Sequence, residues 1–217
     1  MSVQPFSAIL LAAGNGSRMG GEKMSLVLCG KSALRRSAEA LCACEGLKNM
    51  VIVVSPDTEA AARELARELP VPCGIVPGGE RRQDSVYEGL KILRGRAEVV
   101  AIHDGARCLV TRRIIEETVR SAWERGSGVA AMPVKDTIKQ ADGDRVERTL
   151  ERRALQLMQT PQTFRMEDIW QAYDSAQRQG AEATDDASLL ERQGKPVYLT
   201  RGSYENIKLT TQEDLTQ

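Results

Sequence analysis

The segment Leu11-Ala12-Ala13-Gly14-Asn15-Gly16-Ser17-Arg18-Met19 decides the fold because it joins an apolar run to a glycine-rich turn. The apolar run predicts a buried first strand. Gly14 and Gly16 then allow a tight turn whose backbone N–H groups face outward, which is an anion-binding arrangement. Arg18 within the segment and Lys23 just beyond it add two positive charges. We therefore expect the turn to bind the phosphates of a nucleoside triphosphate.

Spacing separates this interpretation from two better-known phosphate loops. A dinucleotide-binding fingerprint requires glycine at the place of Met19, and no acidic ribose ligand ends a second strand. The triplet Gly30-Lys31-Ser32 resembles the end of a Walker A loop, but Ser25 stands where that loop requires glycine. Ser32 is instead expected to cap a helix. A glycine loop with two cations is how nucleotidyltransferases hold a triphosphate, and a plain turn beside two solvated cations is the alternative.

Composition excludes several classes of protein. The chain has 217 residues, which suits one α/β domain spanning residues 1–217. Thirty basic residues balance thirty acidic ones, so no global positive field favours nucleic acid or an anionic membrane. No apolar run approaches the roughly twenty residues that span a bilayer. We expect a cytoplasmic protein with a small ligand, bound neither to nucleic acid nor to membrane.

Metal sites built from histidine or cysteine are also disfavoured. The five cysteines include no pair at the two-residue spacing of a zinc knuckle, and His103 is the one histidine of the chain. A lone histidine beside a functional acid is more often a packed residue than a ligand. We therefore expect His103 to have a structural role.

Apolar runs alternate with helical patterns along the chain, which predicts a doubly wound α/β fold with a mostly parallel, Rossmann-like sheet. The expected strands are 6–12, 50–54, 73–76, 98–103 and 128–133, with a final strand pair around 197–200 and 206–209. The expected helices are 32–45, 57–68, 83–94, 111–125, 167–179 and 186–193.

The pattern changes at about residues 135–152, where polar and apolar residues alternate around a turn at Ala141-Asp142-Gly143-Asp144. This pattern predicts a β-hairpin that projects from the main sheet. A hairpin of this size is marginally stable alone in water, so we expect it to pack on a second copy of the chain as a dimerisation arm.

Candidate residues for the chemistry follow the strand that ends near His103. Asp104 lies where open α/β sheets bind ligands, so we interpret it as a magnesium ligand, with helix capping as the alternative. Gly105 would leave room for a metal or phosphate. Arg107 is placed to bind a phosphate by a bidentate contact. A second glycine loop at 78–86 opens a helix and suits contact with a base or ribose.

Motifs along the whole chain resemble those of 2-C-methyl-D-erythritol 4-phosphate cytidylyltransferase, in order and from end to end. They are Ala12-Ala13-Gly14 with Arg18-Met19-Gly20, Gly78-Gly79 with Arg82 and Asp84-Ser85-Val86, His103-Asp104-Gly105-Ala106-Arg107, Pro133-Val134-Lys135-Asp136-Thr137-Ile138-Lys139, Gln159-Thr160-Pro161-Gln162-Thr163-Phe164, Thr184-Asp185-Asp186-Ala187-Ser188 and Asn206-Ile207-Lys208-Leu209-Thr210. The resemblance implies a magnesium-dependent homodimer of the non-mevalonate isoprenoid route. Its reaction makes 4-diphosphocytidyl-2-C-methyl-D-erythritol and pyrophosphate from CTP and the sugar alcohol phosphate.

The resemblance also implies a role for each matching residue. Catalytic cations that stabilise charge at the reacting phosphates would be Arg18, Lys23 and Lys208. Contacts to the nucleotide would come from Ala12, Ala13, Gly14, Gly16, Gly79 and Ser85. Contacts to the methylerythritol phosphate would come from Arg107, Thr137, Arg152 and Thr184, with Thr137 and Arg152 reaching across from the arm of the neighbouring subunit. Asp104 would hold Mg²⁺.

Two alternative functions remain open on the sequence. A ribitol-5-phosphate cytidylyltransferase would share the CTP half of the site and differ only around the polyol phosphate. A non-catalytic nucleotide-binding homologue is suggested by Met24 and Cys108, which stand where the family usually has glutamine and proline.

Overall fold

The computed structural model describes residues 3–14, 24 and 26–215, and within them the chain forms eleven strands and six α-helices. The strands are β1 (Phe6–Ala12), β2 (Val27–Leu28), β3 (Lys31–Ser32), β4 (Leu47–Val54), β5 (Cys73–Pro77), β6 (Val99–Asp104), β7 (Ser127–Pro133), β8 (Lys139–Asp142), β9 (Arg145–Thr149), β10 (Gln156–Arg165) and β11 (Leu199–Arg201). The helices are α1 (Ala33–Cys42), α2 (Pro56–Glu68), α3 (Arg82–Leu93), α4 (Arg112–Arg125), α5 (Met166–Gln179) and α6 (Asp186–Arg192).

Seven of these strands form one sheet in the order β11-β7-β10-β6-β1-β4-β5. Strand β1 lies parallel to both β4 and β6, while β4 is parallel to β5 and β11 to β7. Strand β10 runs antiparallel to its neighbours β6 and β7. The mostly parallel sheet is therefore confirmed, and the carboxyl ends of β1, β4, β5 and β6 share one edge.

Both faces of the sheet are covered by helices, as the apolar run of β1 requires. Every residue of β1 is buried. Leu10 packs in a core cluster with α1, α2 and α4, whereas Ile9 and Leu11 pack in a second cluster with α3, α5 and α6. Side chains alternate between the two faces of a strand, so a strand covered on both faces is apolar throughout. The doubly wound architecture is confirmed.

Helix α1 begins where the sequence predicts and ends earlier. The Oγ atom of Ser32 accepts a hydrogen bond from the backbone N–H of Arg35 at 3.2 Å, so Ser32 is the N-cap. The helix ends at Cys42 rather than at the expected residue 45. Gly30 thus lies in the turn between β2 and β3, Lys31 and Ser32 form β3, and Ser32 also caps α1, as the sequence predicts for this serine.

The carboxyl-terminal part of the chain departs from the expectation. Strand β10 was not expected, since polar residues and Pro161 argue against a central strand. Its pairing with β7 is irregular between Met158 and Gln162, which accommodates the proline. The second strand of the expected final pair, at 206–209, is wrong. These residues form an irregular segment in which the N–H of Leu209 donates to the carbonyl of Ala106.

The predicted hairpin is present as the two-stranded sheet of β8 and β9, separate from the central sheet. All residues of both strands are exposed in the single chain. No helix of the described part of the chain is long and apolar enough to cross a bilayer.

Candidate active site

Asp104 is the last residue of β6 and lies at the carboxyl edge of the sheet, as predicted. Its Oδ1 atom is 3.0 Å from Nε of Arg82, the first residue of α3. Its Oδ2 atom is 2.7 Å from Nζ of Lys208. Both carboxylate oxygens therefore face cations, and the side chain is only 10% exposed.

These cations control the charge state of Asp104. Burial alone would raise its pKa, but the charges of Arg82 and Lys208 outweigh burial and hold the pKa of this carboxyl well below its usual range. Asp104 is therefore a carboxylate at neutral pH. With Arg107 and the buried Asp186, the group contains three cations and two carboxylates, so it carries a net positive charge that suits an anionic ligand.

A chain of hydrogen bonds fixes the backbone around Asp104. The N–H of Asp104 donates to Oγ1 of Thr160 at 3.0 Å, and Thr160 bonds to Nδ1 of His103 at 3.0 Å. The other ring nitrogen, Nε2, lies 3.2 Å from the carbonyl oxygen of Arg107. A carbonyl only accepts, so Nε2 carries the proton and Nδ1 accepts from the Thr160 hydroxyl.

His103 is consequently a structural residue, as expected. It is fully buried, and burial lowers its pKa to about 4, so the ring is neutral at pH 7. Both of its nitrogens are already bonded within the protein. The ring therefore holds the 104–107 turn in place and has no free nitrogen for general-base chemistry.

Gly105 permits a close backbone contact that the sequence does not indicate. A Cβ atom at this position would lie 2.9 Å from the carbonyl oxygen of Leu11 and 3.2 Å from Sδ of Met24. The glycine thus allows the turn to approach β1 closely, and room for a metal or phosphate at Gly105 stays a prediction.

The segment that carries Lys208 is anchored beside Arg107. The guanidinium Nη1 atom of Arg107 donates to the carbonyl of Asn206 at 2.8 Å. The Asn206 amide donates to the carbonyl of Thr160 at 3.0 Å, and Gln159 binds the carbonyl of Ser203 at 2.7 Å. Nε of Arg107 and Oδ1 of Asn206 are buried and have no hydrogen-bond partner among the described residues. Unpaired buried polar atoms beside a cationic group are typical of a site arranged for a ligand.

The residues expected to contact the nucleotide lie together at the same edge. The N–H of Gly79 donates to Oγ of Ser85 at 3.1 Å. A Cβ atom on Gly78 would lie 2.5 Å from Cβ of Ala13 and 2.8 Å from Oγ of Ser85, so this glycine brings the 78–79 loop against the end of β1. Ala12 is fully buried, while Ala13 is half-buried and open to this loop.

The remaining predicted residues lie in two other places. Gly14 is exposed after β1, whereas Gly16, Arg18 and Lys23 lie outside the described residues. Among the described residues, no hydrogen bond joins Thr137, Arg152 or Thr184 to the Asp104 group, and all three are exposed. Arg152 instead donates to the carbonyl of Lys135 at the base of the hairpin, at 2.6 Å.

The donor set around Asp104 fits magnesium only together with phosphate. In the described part of the chain, no three His, Cys, Asp or Glu side chains converge on one cation position. Mg²⁺ in nucleotide sites usually takes one or two carboxylates, with phosphate oxygens and water completing the shell. The neighbours of Asp104 are cations that would repel free Mg²⁺, so a polyphosphate has to accompany the ion.

Sequence reasoning missed three residues that complete this site. Arg82 bridges Asp104 and Asp186, and Thr160 bonds the backbone of Asp104. Arg82, Thr160 and Asp186 all belong to motifs of the family resemblance, so the sequence shows where they are. It does not show which residues they contact, since Arg82 and Asp186 are 104 positions apart.

Comparisons with known proteins all indicate one family. The family model described as 2-C-methyl-D-erythritol 4-phosphate cytidylyltransferase matches residues 6–217. The protein of that name from Pelotomaculum thermopropionicum is 45% identical over 216 residues, covering 97% of this chain and 91% of the relative. Its namesake from Geobacillus kaustophilus is 44% identical over 214 residues, covering 97% and 93%.

Solved structures give the same result. The 4-diphosphocytidyl-2C-methyl-D-erythritol synthase of Anaerococcus prevotii superposes with a TM-score of 0.88 at 29% identity, covering 98% of this chain and 93% of the other. The 2-C-methyl-D-erythritol 4-phosphate cytidylyltransferase of Thermus thermophilus superposes with a TM-score of 0.81 at 29% identity, covering 98% and 96%. The chain belongs to the 2-C-methyl-D-erythritol 4-phosphate cytidylyltransferase family.

Proposed function

We propose that this chain transfers the cytidylyl group of CTP to the phosphate of 2-C-methyl-D-erythritol 4-phosphate and releases pyrophosphate. The product, 4-diphosphocytidyl-2-C-methyl-D-erythritol, belongs to the non-mevalonate route to isoprenoids. The observation that carries the proposal is the pairing of Lys208 with Asp104 beside the Gly79 and Ser85 loop, in a chain of this family. A cytoplasmic location is part of the proposal, since CTP is a cytoplasmic metabolite.

The described residues suit a displacement at phosphorus that needs no general base. The attacking oxygen belongs to a phosphate that is already ionised at neutral pH, and His103 has no free nitrogen to act as a base. Catalysis then depends on positioning and on neutralising the charge that develops on the phosphates. Lys208 and Arg107 supply positive charge from the described part of the chain. The resemblance assigns further charge to Arg18 and Lys23.

Lys208 is placed to move from Asp104 to a phosphate. Its side chain is 34% exposed, whereas that of Asp104 is 10% exposed, so the lysine lies on the solvent side of the pair. A polyphosphate that enters this edge offers a larger negative charge than one carboxylate. Asp104 would thereby be freed to hold Mg²⁺ together with phosphate oxygens. The bound ion would supply Lewis-acid stabilisation of the phosphate charge.

The hairpin supports the proposal of a homodimer. A two-stranded sheet with every residue exposed is marginally stable alone, so a second copy of the chain is the natural surface to cover it. At the base of the hairpin, Nζ of Lys135 lies 3.4 Å from the centre of the Tyr204 ring, and the Tyr204 hydroxyl donates to the carbonyl of Pro133. These contacts join Tyr204 to the segment that leads into the hairpin. Thr137 and Arg152 would then be presented to the partner.

The experiment that tests the function compares two polyol phosphates. Pyrophosphate release is measured with CTP, Mg²⁺ and either 2-C-methyl-D-erythritol 4-phosphate or ribitol 5-phosphate. We expect turnover with the first and little with the second. Preference for ribitol 5-phosphate would overturn the substrate. Absence of turnover in folded protein that still binds CTP would favour the non-catalytic homologue.

A further inference from the structure

A buried carboxylate holds Arg82 from the side that does not face Asp104. The guanidinium Nη1 and Nη2 atoms of Arg82 donate to Oδ1 and Oδ2 of Asp186 at 2.8 and 2.9 Å. Asp186 has no exposed surface, and Arg82 is 31% exposed. The Nε atom on the other edge of the same guanidinium donates to Oδ1 of Asp104 at 3.0 Å. One arginine therefore joins the two carboxylates through different edges.

Asp186 is itself held from two further directions. The hydroxyl of Tyr173, which is 1% exposed, donates to Oδ1 of Asp186. Burial raises the pKa of Tyr173 well above its ordinary value, so this hydroxyl is a neutral donor. From strand β10, Gln162 accepts a hydrogen bond from the N–H of Ala187 and donates to Asp185. The start of α6 is thus fixed against the strand that lies next to β6.

Two parallel hydrogen bonds define the plane of a guanidinium, which a single contact does not. With that plane set by Asp186, the Nε–H of Arg82 points at one oxygen of Asp104 only. The other oxygen, Oδ2, is left to Lys208. Without Asp186, the guanidinium of Arg82 would be free to rotate and to donate two parallel hydrogen bonds to Asp104, occupying both carboxylate oxygens.

We propose that Asp186 is a positioning residue for the reaction: by holding Arg82 in a fork, it restricts Arg82 to Oδ1 of Asp104 and keeps Oδ2 for Lys208. This inference rests on the proposed function for its kinetic consequence. Its structural consequence, the orientation of Arg82, can be observed without any turnover. The Asp186 carboxylate meets Arg82 and Tyr173, and acts on the reaction through Arg82.

The first test is Asp186→Asn, which keeps the size of the side chain and removes its charge. Supporting residues of this kind typically change activity by about 10- to 100-fold when they are removed. We expect kcat to fall by that amount at saturating substrates, with both KM values changed by less than about threefold. A crystal structure of the variant should show Arg82 forked onto Asp104 and Lys208 displaced.

Tyr173→Phe is the matched control, because it removes a bond to the same buried carboxylate but leaves the fork of Arg82 intact. We expect kcat of Tyr173→Phe to stay close to that of the parent protein. Equal losses in the two variants would mean that Asp186 only stabilises the fold, and the proposal would be wrong. Thermal unfolding of both variants reports how far each is destabilised.

A double-mutant comparison tests whether Asp186 acts through Arg82. If it does, the two losses should not add: introducing Asp186→Asn into an Arg82→Gln background should change kcat of the folded protein by no more than about twofold, which is the usual scatter of such comparisons. A further large loss would contradict the proposal. Should Asp186→Asn fail to fold, Arg82→Lys replaces it, since a lysine cannot make the two parallel bonds to Asp186 that fix the guanidinium plane and should lower kcat similarly; an unchanged kcat would contradict the proposal.

The outcomes separate this inference from the proposed function. If the parent protein shows no turnover, the proposed function is wrong. The orientation of Arg82 in crystals of Asp186→Asn would still decide the positioning role. Conversely, an active parent whose Asp186→Asn variant keeps full kcat and an unmoved Arg82 would overturn the inference alone.

Discussion

Lys208 lies with Nζ 2.7 Å from Oδ2 of Asp104, on the exposed side of a carboxylate that is almost completely buried. The pair places a positive charge at the carboxyl edge of the sheet, where we propose that the substrate phosphates bind. Removing the buried Asp104 carboxylate from water is costly and offsets its attraction to Lys208, so the value of this ion pair is expected in binding and catalysis.

Replacement of Lys208 by methionine removes the charge and keeps the length of the side chain. We expect kcat for pyrophosphate release to fall by about 10²- to 10³-fold, the usual effect of removing one stabilising charge or donor at a reacting centre. Lys195→Met is the matched control, because Lys195 also pairs with an aspartate and is also 34% exposed, but it lies against α5. An equal loss in the control, or none in Lys208→Met, would contradict the assignment.

The glycine at position 78 brings the second glycine loop against Ala13 and Ser85. Gly78→Ala would place a Cβ 2.5 Å from Ala13, so the loop has to move and the KM for CTP should rise by about tenfold or more. At Gly74 in β5, the added Cβ would meet Val51 at an ordinary 3.7 Å. Gly74→Ala should therefore leave the KM for CTP unchanged. If both variants behave alike, the loop does not contact the nucleotide.

Arg152 tests whether the arm completes the site of a neighbouring subunit. Arg152→Ala should raise the KM for the sugar phosphate by about 10-fold or more, because a charge-assisted contact is lost, and leave CTP affinity nearly unchanged. A mixture of Arg152→Ala and Lys208→Met chains, unfolded and refolded together, should recover activity at low sugar phosphate. In the mixed dimer, one site receives Lys208 from one chain and Arg152 from the other. If the mixture shows no recovery of activity, Arg152 either acts in the site of its own chain or belongs to no site.

The ionised side chain of Asp84 should make the free energy of unfolding depend on pH in acid. The hydrogen bonds from Arg81 lower the pKa of Asp84 from 3.8 to about 2, against a smaller opposing effect of burial. The unfolded chain therefore binds more protons, so this contribution is fully present above the unfolded pKa and is lost as the pH falls from 3.8 towards 2. Urea unfolding should show Asp84→Asn less stable than the parent at about pH 5, with the difference shrinking towards about pH 3. A difference that does not change with pH would refute this.

The sequence predicts the position of Asp104 for a physical reason. The apolar run of β6 is buried on both faces, so the first charged residue after the run, Asp104, marks the end of the strand in the sequence. The same logic places Ala13 and the 78–79 loop at the same edge. The fork between Arg82 and Asp186 is not visible in this way, because no local pattern says which distant acid an arginine will meet.

Strand β10 shows where periodicity fails. Gln159, Thr160, Gln162 and Thr163 are buried polar residues, and each has hydrogen-bond partners that come from elsewhere in the fold. A strand whose buried positions are polar lacks the hydrophobic signal that identifies strands in a sequence. Likewise, the 206–209 segment reads as a strand, but its groups bond to the 104–107 turn and to Thr160 instead of to a sheet.

The proposed function requires that the cations around Asp104 receive the phosphates of CTP. A crystal structure of the protein with CTP and Mg²⁺ measures this directly. We predict that Lys208 leaves Asp104 to contact a phosphate, with cytosine against the loop of Gly79 and Ser85. A nucleotide bound elsewhere, with Lys208 still on Asp104, would contradict this role for the cations.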